Sequence, residues 1–69
     1  MNEDNLFRFD LWLYDEMNKR DLNATDVAEM ADLSLHSIYG YLHNRTTPRL
    51  GSLALILKAF GKHIEIVDD

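Results

Sequence analysis

The sequence predicts an all-α domain of four main helices with a short C-terminal β-strand, and three observations lead there. Apolar residues recur at helical spacing in four successive stretches. Asn23 and Ser34 stand where two of the helices would need N-terminal caps. At the end of the chain the period changes, with Ile64 and Ile66 alternating against His63 and Glu65.

Met1 to Asp4 is polar and acidic and is expected only to cap or precede the first helix, which should run from Leu6 to Arg20. Phe9, Leu13 and Met17 follow i, i+4, i+8 and, with Leu6, form its core face. Phe7, Leu11 and Tyr14 make a second apolar stripe, with Trp12 between the two. Such a surplus of apolar surface suits either a helix wedged between neighbours or a strip contacting a second subunit or protein partner, and the second is favoured. Asp15 and Glu16 read as ordinary solvated carboxylates, Met17 and Met30 as core fillers.

Leu22 should tuck under the next junction. Asn23, Thr25 and Asp26 mark a helix start near residue 24, because an Asn or Thr oxygen can accept a first-turn N–H and a carboxylate suits the positive helix end. Val27, Ala28 and Ala31 give this helix a stripe of small residues where another helix can approach, with Ala28 the expected contact. Ser34 caps the following helix, in which Ile38, Tyr41 and Leu42 share a face. Leu35, His36, Ser37, Tyr39, Gly40 and His43 are left pointing outward, a mixture of donors, acceptors and apolar tips suited to base edges and phosphates. A helix-interior glycine costs about 1 kcal/mol relative to Ala, so Gly40 is either tolerated or lets DNA come close. Two short helices, a tight turn and a second helix displaying polar side chains form the layout of a helix-turn-helix reader of the major groove.

Arg45, Thr46 and Thr47 form a loop ended by Pro48, whose fixed φ leads into a helix start. A loop directly after a reading helix lies near the sugar-phosphate backbone, which makes Arg45, Thr46, Thr47 and Arg49 candidate phosphate contacts. The last helix should span Leu50 to Phe60, with Leu50, Leu53, Ala54, Leu57 and Phe60 on its core face and Gly61 just beyond its end. Leu55, Ile56 and Ala59 leave its other side apolar too. Together with Phe7, Leu11 and Tyr14, the residues Leu55, Ile56, Ile64 and Ile66 are the candidate subunit or partner interface, the C-terminal strand pairing with its copy or lying against the bundle.

On these residues the chain resembles the lambda-repressor-like helix-turn-helix family, which includes phage repressors, Cro proteins and many antitoxins. The matching positions are Leu22-Asn23, Val27-Ala28, Leu33-Ser34, Ile38, Tyr41-Leu42, Asn44, Pro48, Leu50, Leu53, Leu57 and Phe60-Gly61. The resemblance implies a repressor-like fold and sequence-specific binding to double-stranded DNA, commonly as a homodimer. Departures are local. Ala24 and Leu35 stand where many relatives have Gln for phosphate and base contacts, and Asp32 stands at a turn position usually given to Gly. Met17 and Leu42 occupy positions where repressor-type members often pair Arg with Glu, so an apolar contact is expected there. Asn44 replaces a common Gly and can act as a left-handed C-cap.

Composition bounds the function. At 69 residues this is one domain, burying only ~60% of its unfolded surface. It has no cysteines, no residues spaced as metal ligands, and 46% hydrophobic content, ordinary for a folded chain. His36 and His43 lie two helical turns apart, too far for one metal. No apolar run is long enough for a membrane span and no leader is recognisable, so a cytoplasmic protein with no membrane partner is expected. The net charge of −5 hides an asymmetry: residues 1–32 carry nine acids and three bases, whereas residues 33–64 carry Arg45, Arg49, Lys58 and Lys62 and no acid. The reading helix and the stretch C-terminal to it are thus basic, as phosphate neutralisation requires. No catalytic constellation and no cofactor site is recognisable, so no enzyme is expected. The sequence therefore points to a DNA-binding transcriptional regulator, a homodimer repressing by promoter occupancy. Thr25 and the start of its helix would anchor on phosphate, and Ser34, at the cap of the reading helix, is counted with the DNA-binding residues. The alternative is an interaction module such as an antitoxin or inhibitor that grips a protein partner through helix 1.

Overall fold

Four helices follow the expected order in the computed structural model, which describes residues 8–65, 67 and 68: α1 Phe9–Arg20, α2 Ala24–Ala31, α3 Leu35–Leu42 and α4 Leu50–Ala59. α2 packs against both α3 and α4, and α1 against α3. Leu13, Val27, Ile38 and Ile56, one from each helix, are fully buried at the centre. Around them an aromatic chain closes one side. Phe9 stacks on Trp12 at 5.6 Å and meets Tyr41 edge-on at 6.0 Å, while Trp12 meets Phe60 edge-on at 5.8 Å. Such pairs add about 0.5–1.5 kcal/mol beyond their burial.

The connections have a common device. Asp21, Asp32 and Asn44 all adopt left-handed backbone with φ of 55°, 56° and 56°, and Gly61 does so after α4 at 74°. Short Asp and Asn side chains tolerate this region better than most non-glycine residues. It lets the backbone N–H groups of Asp21 and Leu22 reach Asn18 and Met17 carbonyls, and that of Leu33 reach Ala28, so the freed helix-end acceptors are satisfied.

Several expectations need correction. α1 begins at Phe9, not Leu6: Arg8 has extended backbone, and its Nε and Nη2 donate to the two carboxylate oxygens of Asp10 at 3.0 and 2.8 Å. Leu6 and Phe7 lie outside the described residues. Glu16 is buried rather than solvated, because Arg20 and Lys19, four and three residues on, both reach it. Arg20 also lies 4.8 Å over the Phe60 ring and donates to the Phe60 carbonyl at 3.3 Å, tying the end of α1 to the end of α4. Met30 is 48% exposed, since the buried stripe of α2 consists of Ala24, Val27, Ala28 and Ala31.

The largest revision concerns α4. Ile56, expected at an interface, is 0% exposed and central to the core, whereas Leu50 is 71% exposed and Ala54 is exposed as well. Most of its residues are Leu, Ile or Ala, in a run that is apolar on nearly every side, so periodicity alone chooses no face and packing against α2 decides. Among the described residues 62–65, 67 and 68 there is no strand, and Ile66, one of the expected strand positions, lies outside the described residues. A strand needs an edge to pair with, and four helices supply none.

The buried carboxylates set the acid response. Hydrogen bonding from Arg8 holds Asp10 below the usual carboxylate range, opposed by burial and aided by the backbone N–H groups of the helix start. Hydrogen bonding from Arg20 does the same for Glu16, with burial opposing and Lys19 assisting. A folded-state pKa below the unfolded one gives stability that is complete above the unfolded value and lost as pH falls through the folded one. Thermal unfolding should therefore be nearly pH-independent around neutrality and drop as pH falls below about 4. In Glu16→Gln the acid drop should be shallower and the neutral midpoint lower. A variant whose acid limb overlays the parent would remove Glu16 from this role.

Candidate nucleic-acid interface

α2 and α3 are positioned by their caps. Asn23 Oδ1 accepts the Asp26 N–H at 2.9 Å while Asp26 Oδ2 accepts the Asn23 N–H at 3.0 Å, a reciprocal capping box. Since Asn23 is the cap, Thr25 is left exposed on the first turn of α2. Ser34 Oγ accepts the Ser37 N–H at 3.1 Å and its hydroxyl lies 2.9 Å from the Ser37 hydroxyl. Ser34 is thus occupied in holding the start of α3. Between the helices Asp32 makes the left-handed turn expected of it.

α3 is anchored by two buried residues, Ile38 and Tyr41, with Leu42 half-buried beside them. Leu35, His36, Tyr39 and His43 are exposed and Ser37 and Gly40 half-exposed, as expected of the outward face. Tyr39 and His43 stack on each other with ring centroids 6.2 Å apart.

The loop after α3 folds back onto it. The N–H groups of Arg45 and Thr46 donate to the Gly40 carbonyl at 2.9 and 3.4 Å. A Cβ at Gly40 would come within 2.9 Å of Thr46 Cγ2, closer than real Cβ contacts allow. The space that Gly40 leaves is taken up by the chain's own loop, a reason for glycine here that the sequence did not suggest. Gly40→Ala should therefore forgo the gain of about 1 kcal/mol that Ala normally brings to a helix. The same change in a Thr46→Ala background should recover most of that gain. Denaturant unfolding of the parent, the two single variants and the double variant measures the coupling, and additive effects would show that the loop is not in the way.

Folding back creates a cleft of about 420 Å³ between α3, the loop and the start of α4. It gathers His36, Ser37, Tyr39, Gly40, Arg45, Thr46, Thr47 and Arg49 from the sequence-derived candidates, and leaves out Thr25, Ser34, Leu35 and His43. Tyr41 and Ser52 also line it and were not anticipated as site residues. Ser52 stands three residues after Arg49, the N-cap of α4, so the turn following Pro48 carries the signal that could have found it. Among the described residues lining the cleft there is no carboxylate, and neither Arg45 nor Arg49 has an ion-pair partner among them. Arg49, the N-cap of α4, and Ser52 of its first turn both line the cleft, so the positive end of that helix borders it.

Of the interface candidates, Leu11 and Tyr14 are 60% and 58% exposed on α1, and Leu55 and Ile64 are exposed. Ile56 does not join them. Phe7 and Ile66 lie outside the described residues. Met17 and Leu42 line one hollow together with Tyr14 and Tyr39.

A capped helix, a tight left-handed turn and a second helix whose outer face is free define a helix-turn-helix protein. The helix-turn-helix family model matches residues 13–67, and the chain belongs to that family, in its lambda-repressor-like branch. No curated protein and no solved structure is detectably similar to the chain. Membership makes it a DNA-binding regulator, a class that acts on double-stranded DNA and is not typically enzymatic. No helix among the described residues is long and apolar enough to cross a membrane.

Proposed function

We propose that the chain recognises specific double-stranded DNA sequences as a homodimer and represses transcription by occupying a promoter. The observation that carries this reading is the carboxylate-free cleft holding Arg45 and Arg49 directly beside the outward face of α3. α3 enters the major groove in this arrangement. Leu35, Ser37 and Tyr39 then meet base edges, Leu35 against a thymine methyl, while Thr25 and the start of α2 approach a phosphate. Arg45, Thr46, Thr47 and Arg49 hold the backbone and supply the salt-dependent attraction. A dimer built on the exposed Leu11, Tyr14, Leu55 and Ile64 would read two half-sites about one helical turn apart.

Fluorescence anisotropy with the protein's own upstream DNA and with scrambled DNA, across a salt series, tests the reading. Binding to upstream DNA about a hundredfold tighter, with affinity falling steeply as salt rises, is the expected result. Weak and equal binding to both would sink it.

The exposure of Leu11 and Tyr14 also supports a second reading, in which the same scaffold is an antitoxin-like or inhibitor-like module gripping a protein through α1. Leu11→Ala with Tyr14→Ala would then abolish activity, whereas removal of Arg45 and Arg49 would not.

A further inference from the structure

We propose that His36 makes DNA binding proton-linked: its imidazole is a third, conditional cation of the phosphate cleft, so affinity rises as pH falls through the histidine range. This rests on the DNA-binding reading of the cleft. His36 is exposed on the first turn of α3 and lines the cleft with Arg45 and Arg49. The titratable or charged groups that line the cleft with it are those two arginines, from the loop and from the cap of α4, and Tyr39 and Tyr41 of its own helix. α4 itself adds only the hydroxyl of Ser52, and no residue of α1 or α2 lines the cleft.

With no carboxylate among the described lining residues, nothing there pairs with an imidazolium until a phosphate arrives. A seated phosphate favours the charged ring over the neutral one, so binding is coupled to proton uptake. The other histidines stand elsewhere. His43 stacks on Tyr39 outside the cleft, and His63 lines a different hollow and lies 3.8 Å from Glu65.

The test is anisotropy binding of the full chain to its upstream duplex between about pH 8 and pH 6, where carboxylates stay ionised. Affinity should rise roughly several-fold across that range. The slope of log affinity against log salt should steepen by up to about 0.9 at the acid end. Calorimetry in buffers of different ionisation enthalpy should show uptake of part of one proton per bound chain. His36→Gln should bind with a flat pH profile, its fold checked by circular dichroism, whereas His43→Gln and His63→Gln should keep the rise. Tight binding by the parent with no pH dependence, or a rise that survives in His36→Gln, overturns the proposal while leaving the DNA reading intact. Absence of DNA binding at every pH overturns both.

Discussion

Ile56→Ala should lower the stability of the domain by about 3 kcal/mol, within the range of about 2–5 kcal/mol for emptying a fully buried Ile site. In a domain of this size that corresponds to a fall in the unfolding midpoint of upward of about 12 °C. Ile56 touches the centre where Leu13, Val27 and Ile38 meet, so the loss is intramolecular and should not change with protein concentration. Leu55, its neighbour and 42% exposed, makes the control: Leu55→Ala should shift monomer stability by no more than about 0.5 kcal/mol. Circular dichroism melts at two concentrations, with sedimentation, separate the cases. If Ile56→Ala altered oligomer mass and left the melt unchanged, the core placement of this residue would be wrong.

The second large effect is on binding. Arg45→Ala combined with Arg49→Ala should weaken DNA binding about a hundredfold or more, since hydrogen bonds to charged groups contribute about 1.5–3 kcal/mol each. Because phosphate contacts carry no sequence information, upstream and scrambled DNA should lose alike. The salt dependence gives the sharper readout: with two phosphates no longer neutralised, the slope of log affinity against log salt should become shallower by about 1.8. Both side chains are exposed, so the fold should survive and the melting curve should stay close to the parent's. An unchanged slope would show that the cleft does not seat the backbone.

Much of this architecture was legible because its determinants are local. Asn23 and Ser34 cap helices through side chains within three residues of the groups they bind, and Phe9, Leu13 and Met17 mark one face of α1 by spacing alone. The turn at Asp32 and the left-handed Asn44 follow from residue chemistry in the same way. What stayed hidden depends on neighbours distant in sequence. α4 offers apolar residues in nearly every direction, and only docking on α2 selects the side of Ile56 over that of Leu50. An alternating period at Ile64 is not a strand without an edge beside it. Gly40 could be recognised as costly in a helix, but that its vacancy is filled by Thr46 emerges only when the loop folds back. Glu16, like Ser52, could have been read from the sequence, because its spacing to Arg20 is that of a helical ion pair.

α3 contributes only Ile38 and Tyr41 as buried residues, and this economy separates the two kinds of information its sequence carries. Those two positions, with the cap Ser34 before them and Gly40 between them, maintain the domain. Leu35, His36, Tyr39 and His43 have no comparable structural duty and can be exchanged at small cost in stability. A lineage carrying this domain can therefore drift toward a new target through surface replacements alone, without passing through an unfolded intermediate genotype. The same division makes α3 a natural place to randomise when selecting altered recognition.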